Sequence, residues 1–265
     1  MPDLDQVVSA VASSKKYHAV CADTIRRIAA RELAHRGSVK EATKATKRRL
    51  HQVYGAFEEE LDADVACQQL GAAYLSGSEA AIKSACRQVL MSHSSTRERL
   101  PILDRFYRAI FEASRYPGSI LDLGCGLNPL ALPWMDLGAD LRYTALDIDA
   151  DRIRFLNRYL ALAGLQPRAR CQDILVQPPD DEADLALLLK MSPTLERQEA
   201  GGTLRLLEQL HAPAIVVSFA LKSLGGREKG MQDQYARQFS ELARDQAWQI
   251  QALVFETELA FVVEK

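Results

Sequence analysis

One stretch, residues 119–149, constrains the fold of this chain more than any other. It reads SILDLGCGLNPLALPWMDLGADLRYTALDID, which predicts a buried strand, a Gly-x-Gly turn, a helix, and a second strand that ends in acids. Gly124 and Gly126 carry no Cβ, so the backbone of the turn can approach a ligand closely. This order of elements is typical of open α/β folds that bind an adenosine-bearing cofactor.

Short apolar runs alternate with helical segments from residue 117 to the end of the chain. Runs such as ADLALLLK and AIVVSF read as strands buried on both faces, as parallel sheets require. Too little chain separates the last two strands for a crossover helix, so we expect an antiparallel hairpin. The sequence therefore predicts a doubly wound, seven-stranded α/β sheet with one antiparallel strand. The predicted strands lie near 119–123, 142–147, 168–172, 184–189, 214–219, 249–256 and 259–263, and the predicted helices near 129–138, 150–163, 195–211 and 229–246.

Residues 1–92 read as an all-helical, basic N-terminal domain, followed by the α/β domain at 93–265. The polar break SHSST is the expected boundary between them. From Lys15 to Arg49, eleven Lys and Arg stand against three acids, whereas the rest of the chain carries 22 bases and 32 acids. This asymmetry indicates an anionic partner for the N-terminal segment.

The residues around the glycine turn favour one adenosine cofactor over the others. A dinucleotide loop would have a third glycine at position 129, but Pro129 stands there and lacks the N–H that a phosphate would use. Asp147 and Asp173 are expected at the ends of two strands, where carboxylates can accept ribose hydroxyls and the adenine amine. With no phosphate-binding lysine, this set fits S-adenosylmethionine better than a nucleotide. The alternative is that such acids only cap the helices that follow them.

Cysteine usage and the N-terminal sequence indicate a cytoplasmic protein without a metal. The five cysteines are odd in number, widely spread, and lack metal-type spacing, so we expect reduced thiols. The first 17 residues are polar and charged rather than an apolar leader, and no run of about 18 apolar residues suggests a membrane span.

Two basic clusters are candidates for contact with nucleic acid. The first lies in the N-terminal helices, and the second lies in the glycine-rich segment KSLGGREKGM after the fifth strand. The alternative interpretation is a solvated helix face and a solvated loop. The predicted RNA-binding residues are Lys15, Lys16, Lys44, Lys47, Arg48, Lys222, Arg227 and Lys229.

Several stretches together resemble a known family. They are SKKY at 14–17, STRERLP at 95–101, LDLGCGLNPLA at 121–131, ALDID at 145–149, LLLK at 187–190 and KSLGGREKGM at 222–231. The combination resembles the aminoglycoside-resistance methyltransferases that modify N7 of guanosine 1405 in the decoding site of 16S ribosomal RNA. The match spans nearly the whole chain.

The resemblance implies a class I methyltransferase core, S-adenosylmethionine as methyl donor, and an N-terminal helical extension that docks on the 30S subunit. Spacing alone leaves Arg97 and Arg99 open as partners of the cofactor's methionine carboxylate, and the resemblance favours Arg99. LLLKMSP departs from the family pattern after Lys190, so the roles of Met191 to Pro193 stay open. The predicted cofactor contacts are Arg99, Gly124, Gly126, Asp147, Ile148, Asp173, Ile174 and Leu189.

The chemistry agrees with this interpretation. Guanine N7 has a free lone pair and no proton, so no general base is expected, and Lys190 is predicted to position cofactor or base. The alternative for Lys190 is a strand-end lysine that reaches solvent. Two other functions remain open: a small-molecule methyltransferase with a helical lid, and a non-catalytic RNA-binding assembly factor. We expect a monomer.

Overall fold

The computed structural model of the chain describes residues 2–55, 61–138, 140–221 and 230–265. Seven strands within these ranges form one sheet in the order β3-β2-β1-β4-β5-β7-β6. Strand β7 runs antiparallel to both β5 and β6, while the other pairs are parallel. The predicted sheet with one antiparallel strand is confirmed. The strands are β1 Ser119–Leu123, β2 Arg142–Asp147, β3 Ala169–Cys171, β4 Leu185–Leu189, β5 Ala214–Ala220, β6 Gln249–Val254 and β7 Glu258–Glu264.

Helices cover both faces of this sheet, and two predicted helices differ from those observed. The predicted helix at 129–138 is a 3₁₀ helix at Asn128–Trp134. Pro133 lies inside it and has no N–H to donate, which disfavours an α-helix. The predicted helix at 195–211 is two helices, because Gly201 adopts a left-handed φ of 75° between them. The helices of this region are α7 Leu103–Ser114, α8 Ala150–Leu162, α9 Ser192–Gln198, α10 Gly202–Gln209 and α11 Met231–Leu242.

The first hundred residues are helical wherever the structure describes them, apart from their connecting turns and one isolated bridge. Polar caps start several of these helices: Ser38 accepts the backbone N–H of Glu41, and Ser78 accepts that of Ala81. The helices are α1 Pro2–Ala12, α2 Ala22–Ala34, α3 Val39–Leu50, α4 Ala63–Leu75, α5 Glu79–Leu90 and α6 Ser94–Arg99, with a π-helical turn at His51–Gly55 and a 3₁₀ turn at Leu100–Ile102.

Packing divides these helices into two groups. Helices α1 to α3 share a small core of their own that includes Val7, Ile25 and Leu50. Helices α4 and α5 instead contribute Leu70 and Leu90 to the large core of the α/β domain. The predicted domain boundary at 92/93 stays a prediction. Residues 2–55 pack as one group, and we call them the N-terminal unit. None of the helices that the structure describes is long and apolar enough to cross a membrane.

Candidate cofactor and RNA site

The Gly-x-Gly turn after β1 is the centre of the site. Gly124 and Gly126 have left-handed φ angles of 62° and 52°, which strain residues that carry a Cβ. A Cβ on Gly124 would lie 2.7 Å from Cε of Met191, so the Met191 side chain would have to shift to admit one. The backbone N–H of Gly126 donates to Oδ2 of Asp147 at 2.9 Å. The turn is therefore fixed to the end of β2 through the acid that sequence reasoning selected.

A cavity of about 1160 Å³ opens at this turn, beside the carboxyl ends of the parallel strands. Cofactors bind at this edge of open α/β sheets, where the strand order reverses. The structure brings together all eight predicted cofactor contacts and Lys190 in the wall of this cavity. They are Arg99, Gly124, Gly126, Asp147, Ile148, Asp173, Ile174, Leu189 and Lys190.

Asp147 is buried at the end of β2, and each of its two carboxylate oxygens accepts at least one hydrogen bond from a neighbour. Oδ1 accepts the backbone N–H of Asp149 at 3.1 Å and Nη1 of Arg152 at 3.0 Å. Although burial lowers the pKa of Arg152, the carboxylates of Asp147 and Asp149 outweigh it and raise that pKa. Asp149 also caps α8 by accepting two backbone N–H groups. The capping alternative thus applies to Asp149, while Asp147 faces the cavity.

Asp173 is buried beyond the end of β3, and its carboxylate forms an ion pair with Arg27 of the N-terminal unit. Its Oδ2 accepts Nε and Nη2 of Arg27, at 3.1 and 2.9 Å, and its Oδ1 accepts the backbone N–H of Leu175 at 2.9 Å. Sequence reasoning missed Arg27, because 146 residues separate it from its partner. The only signal was its place in the basic segment.

Arg99 turns inward, and Arg97 is exposed, so the structure places the arginine that the resemblance favoured in the cavity wall. The Arg99 side chain is 2% exposed and forms two hydrogen bonds to Glu258, at 3.0 and 2.8 Å. Its Nη1 donates to Oδ1 of Asn128 at 2.8 Å. Sequence reasoning missed Glu258, because it is the first residue of β7 and follows the polar residues Glu256 and Thr257, so nothing local marks it as buried.

Lys190 has a left-handed φ of 61° at the end of β4, a conformation that few lysines adopt. Its Nζ donates to the carbonyl oxygen of Ser95 at 2.9 Å and to Glu98 at 3.0 Å, and it lies 3.4 Å from Glu258. The side chain is 8% exposed, so it does not reach solvent as the alternative required. Its predicted positioning role stays a prediction.

Asp122 presents a buried acceptor to the cavity. Its Oδ2 accepts Tyr143 at 2.6 Å and Asn128 at 2.9 Å, whereas Oδ1 has no donor among the described residues. Burial raises the pKa of Asp122 to about 6. An unused acceptor close to Arg99 suits a ligand that carries both an amino group and a carboxylate, as the methionine part of S-adenosylmethionine does.

Comparison with known proteins identifies the family. Residues 13–262 match the family model described as Ribosomal RNA methyltransferase (FmrO). The chain belongs to this family. A relative from Micromonospora echinospora, named 16S rRNA (guanine(1405)-N(7))-methyltransferase, is 42% identical over 99% of this chain and 97% of its own length. One of the same name from Serratia marcescens is 37% identical over 89% of this chain and 88% of its own.

A solved structure agrees with this assignment. The crystal structure of the 16S rRNA methyltransferase RmtF in complex with S-adenosyl-L-homocysteine has a TM-score of 0.84 and 34% identity, and covers 100% of this chain and 99% of that one. The class I fold and the resemblance drawn from the motifs are confirmed. S-adenosylmethionine, the cofactor predicted from the strand-end acids, agrees with the S-adenosyl-L-homocysteine bound to RmtF.

The methyltransferase brings its first basic cluster onto one face of the N-terminal unit. Lys15 and Lys16 precede Tyr17, whose hydroxyl donates to the carbonyl oxygen of Lys47 in α3 at 2.9 Å. Lys44 and Arg48 are exposed, whereas Lys47 is half-buried. Ala42, Ala45, Thr46 and Leu50 form the buried side of the same helix, as its spacing predicts.

The second cluster, Lys222, Arg227 and Lys229, lies outside the described residues. The segment that contains it separates β5 from α11, which is where the sequence placed it. Among the described residues, no group of three or more His, Cys, Asp or Glu side chains is arranged to hold a metal ion.

Proposed function

We propose that this methyltransferase transfers a methyl group from S-adenosylmethionine to N7 of guanosine 1405 in 16S rRNA of the 30S subunit. The observation that carries the proposal is the cavity, because it gathers strand-end acids, a glycine turn and a buried arginine that together suit this cofactor. The names of the full-length relatives support the choice of nucleotide and atom.

The residues of the cavity fit the donors and acceptors of the cofactor. Asp147 and Asp173 would accept the ribose hydroxyls and the adenine amine, and Arg99 would bind the methionine carboxylate. The unused Oδ1 of Asp122 would accept the amino group. When bound, S-adenosylmethionine supplies a methyl group activated by a sulfonium centre.

The chain's own contribution is to bind and orient the cofactor and the guanine and to exclude water. No general base is needed, because N7 of guanine has no proton to remove. Burial lowers the pKa of His93, beside the glycine turn, to about 3, so this ring is neutral at pH 7 and is no general acid there. Lys190 would hold its position at the mouth of the cavity through Glu98 and Glu258.

Docking would use the exposed basic face of the N-terminal unit. Arg26, Arg27, Arg36 and Arg49 form ion pairs. Lys44 and Arg48 form none with the residues that the structure describes, so their charge would be available to phosphate groups. We propose that the segment with Lys222, Arg227 and Lys229 also contacts RNA. We further propose that the protein acts as a monomer in the cytoplasm and makes its host resistant to aminoglycosides.

The test is transfer of labelled methyl groups from S-adenosylmethionine to purified 30S subunits, naked 16S rRNA and a set of small metabolites. The proposal predicts label in the RNA of 30S subunits. Label only in a metabolite would favour a small-molecule methyltransferase with a helical lid. Cofactor binding without transfer to any substrate would favour a non-catalytic assembly factor.

A further inference from the structure

The N-terminal unit touches the rim of the cofactor cavity as well as presenting a basic face. Its residues 19–21 pair with the backbone that follows β2: the N–H of Cys21 donates to the carbonyl oxygen of Ile148 at 2.7 Å, and that of Ala150 donates to Ala19 at 2.8 Å. The hydroxyl of Tyr54 donates to Asp149 at 3.0 Å. The loop that follows Asp147 is thus held in place by the N-terminal unit.

A further contact joins the N-terminal unit to Asp173 in the cavity wall. The Arg27 side chain is 24% exposed, whereas that of Asp173 is 4% exposed, and both residues line the cavity. A carboxylate offers about four acceptor positions. Two N–H groups of Arg27 and the backbone N–H of Leu175 occupy three of them. One position is left, which matches a single N–H of the adenine amine.

Arg27 also ties this acid to a second residue of the cavity wall. Its Nη2 donates to Oε1 of Gln198 in α9 at 2.7 Å. Gln198 in turn donates to the carbonyl oxygen of Thr194 at 3.3 Å. Helix α9 follows Met191, the residue packed over Gly124. One guanidinium therefore fixes both the orientation of the adenine-binding acid and the place of the adjoining helix.

We propose that Arg27 is a positioning residue for the adenine ring of the cofactor, so that the N-terminal unit completes the cofactor site. This rests on the proposed function, since it takes S-adenosylmethionine as the ligand. Arg27 holds Asp173 so that the remaining lone pair of the carboxylate points toward the cavity. There the lone pair accepts a hydrogen bond from an amine and repels a carbonyl oxygen.

The test compares two ligands by calorimetry: S-adenosylhomocysteine, and S-inosylhomocysteine, in which a carbonyl oxygen replaces the adenine amine. Wild-type protein should prefer the first by at least about a hundredfold, because the acid meets an acceptor in the second. Arg27→Met should weaken S-adenosylhomocysteine binding about tenfold and reduce the preference to below about tenfold. A carboxylate that is no longer held in one orientation discriminates less between a donor and an acceptor.

Two further variants provide controls. Arg31→Met removes the arginine one turn further along α2, which donates to the carbonyl oxygen of Gln198 but does not touch Asp173. This variant should keep both affinities within about twofold of wild type. Arg27→Lys keeps a cation but not the paired donors, so its ligand preference should fall between those of wild type and Arg27→Met. Thermal unfolding of each variant shows which of them are folded at the temperature of the titrations.

The outcomes separate this inference from the proposed function. If Arg27→Met weakens both ligands by the same factor, or Arg27→Lys behaves as wild type in ligand preference, Arg27 is only a structural cation and the inference is wrong. If wild-type protein fails to bind S-adenosylhomocysteine at all, the proposed function falls as well. In steady-state assays with 30S subunits, Arg27→Met should raise KM for S-adenosylmethionine and keep kcat at saturating cofactor.

Discussion

Glu258 is a residue at which the structure predicts a large loss of stability when one carboxylate oxygen is replaced. It is fully buried in β7 and accepts two hydrogen bonds from Arg99, at 2.8 and 3.0 Å, and one from Ser218 at 2.5 Å. Lys190 lies 3.4 Å away. Although burial alone raises the pKa of Glu258, Arg99 and Lys190 outweigh it and hold that pKa below its usual value. The carboxylate therefore compensates two cations inside the protein.

Glu258→Gln keeps the shape of the side chain but removes this compensation. The amide presents an N–H₂ group where the carboxylate accepted donors, so Arg99 and Lys190 lose their common counter-charge. Breaking a buried pair by removal of one partner costs about 3–5 kcal/mol. Because the amide oxygen can still accept one hydrogen bond, we expect a loss at the lower end, about 3 kcal/mol.

Urea unfolding at pH 7 measures this loss, and Glu256→Gln is the matched control. Glu256 lies two residues away and pairs with Arg105, but the two side chains are 62% and 55% exposed. An exposed pair contributes about 0–1 kcal/mol, so this control should lose less than about 1 kcal/mol. If the two variants agree within about 0.5 kcal/mol, burial does not govern the energy of these pairs and the reasoning is wrong.

Three other perturbations test the site. Asp147→Ala should weaken calorimetric binding of S-adenosylhomocysteine while affinity for 30S subunits survives, and an equal loss of both would contradict separate binding surfaces. Reversal of Lys44, Lys47 and Arg48 to Glu should abolish 30S binding in a filter assay and leave cofactor titration unchanged; unaltered subunit affinity would make that face a plain solvated surface. Burial raises the pKa of Asp122 from 3.8 to about 6, so its contribution to stability is present below pH 3.8 and is lost as pH rises through 6. Unfolding free energies should therefore show wild type gaining up to about 3 kcal/mol over Asp122→Asn as pH falls through this window, and a constant difference would refute the shift.

The elements that sequence predicted best are those whose signal is local. Strands β1 and β2 and the hairpin of β6 and β7 follow from short apolar runs, and the glycine turn follows from its own residues. The helix after the turn was predicted as an α-helix but is a 3₁₀ helix. The prediction used the spacing of apolar residues, which Pro133 leaves intact although it removes a hydrogen-bond donor from the helix. The break at Gly201 was missed although Gly201 and Gly202 are adjacent and a Gly-Gly pair marks a turn.

The partners of the site residues had no such local signal. Asp147 and Asp173 were identified from their places after strands, but Arg27 and Glu258 reach the site only through tertiary packing. Arg99 is separated from Glu258 by 159 residues, and the pairing depends on β7 lying next to β5. A sequence shows which side chains need partners in a core, while the fold decides which partners they have.

The most direct test of the proposed function is the position of the methyl group on the RNA. 30S subunits treated with the protein and S-adenosylmethionine are extracted, their 16S rRNA is exposed to borohydride and aniline, which cleave the chain at N7-methylguanosine, and primer extension maps the breaks. The proposed function predicts one new break, at guanosine 1405, in samples treated with the wild-type protein and no new break when the protein is omitted. Methylated RNA with no break there, or with its break at another guanosine, would contradict it.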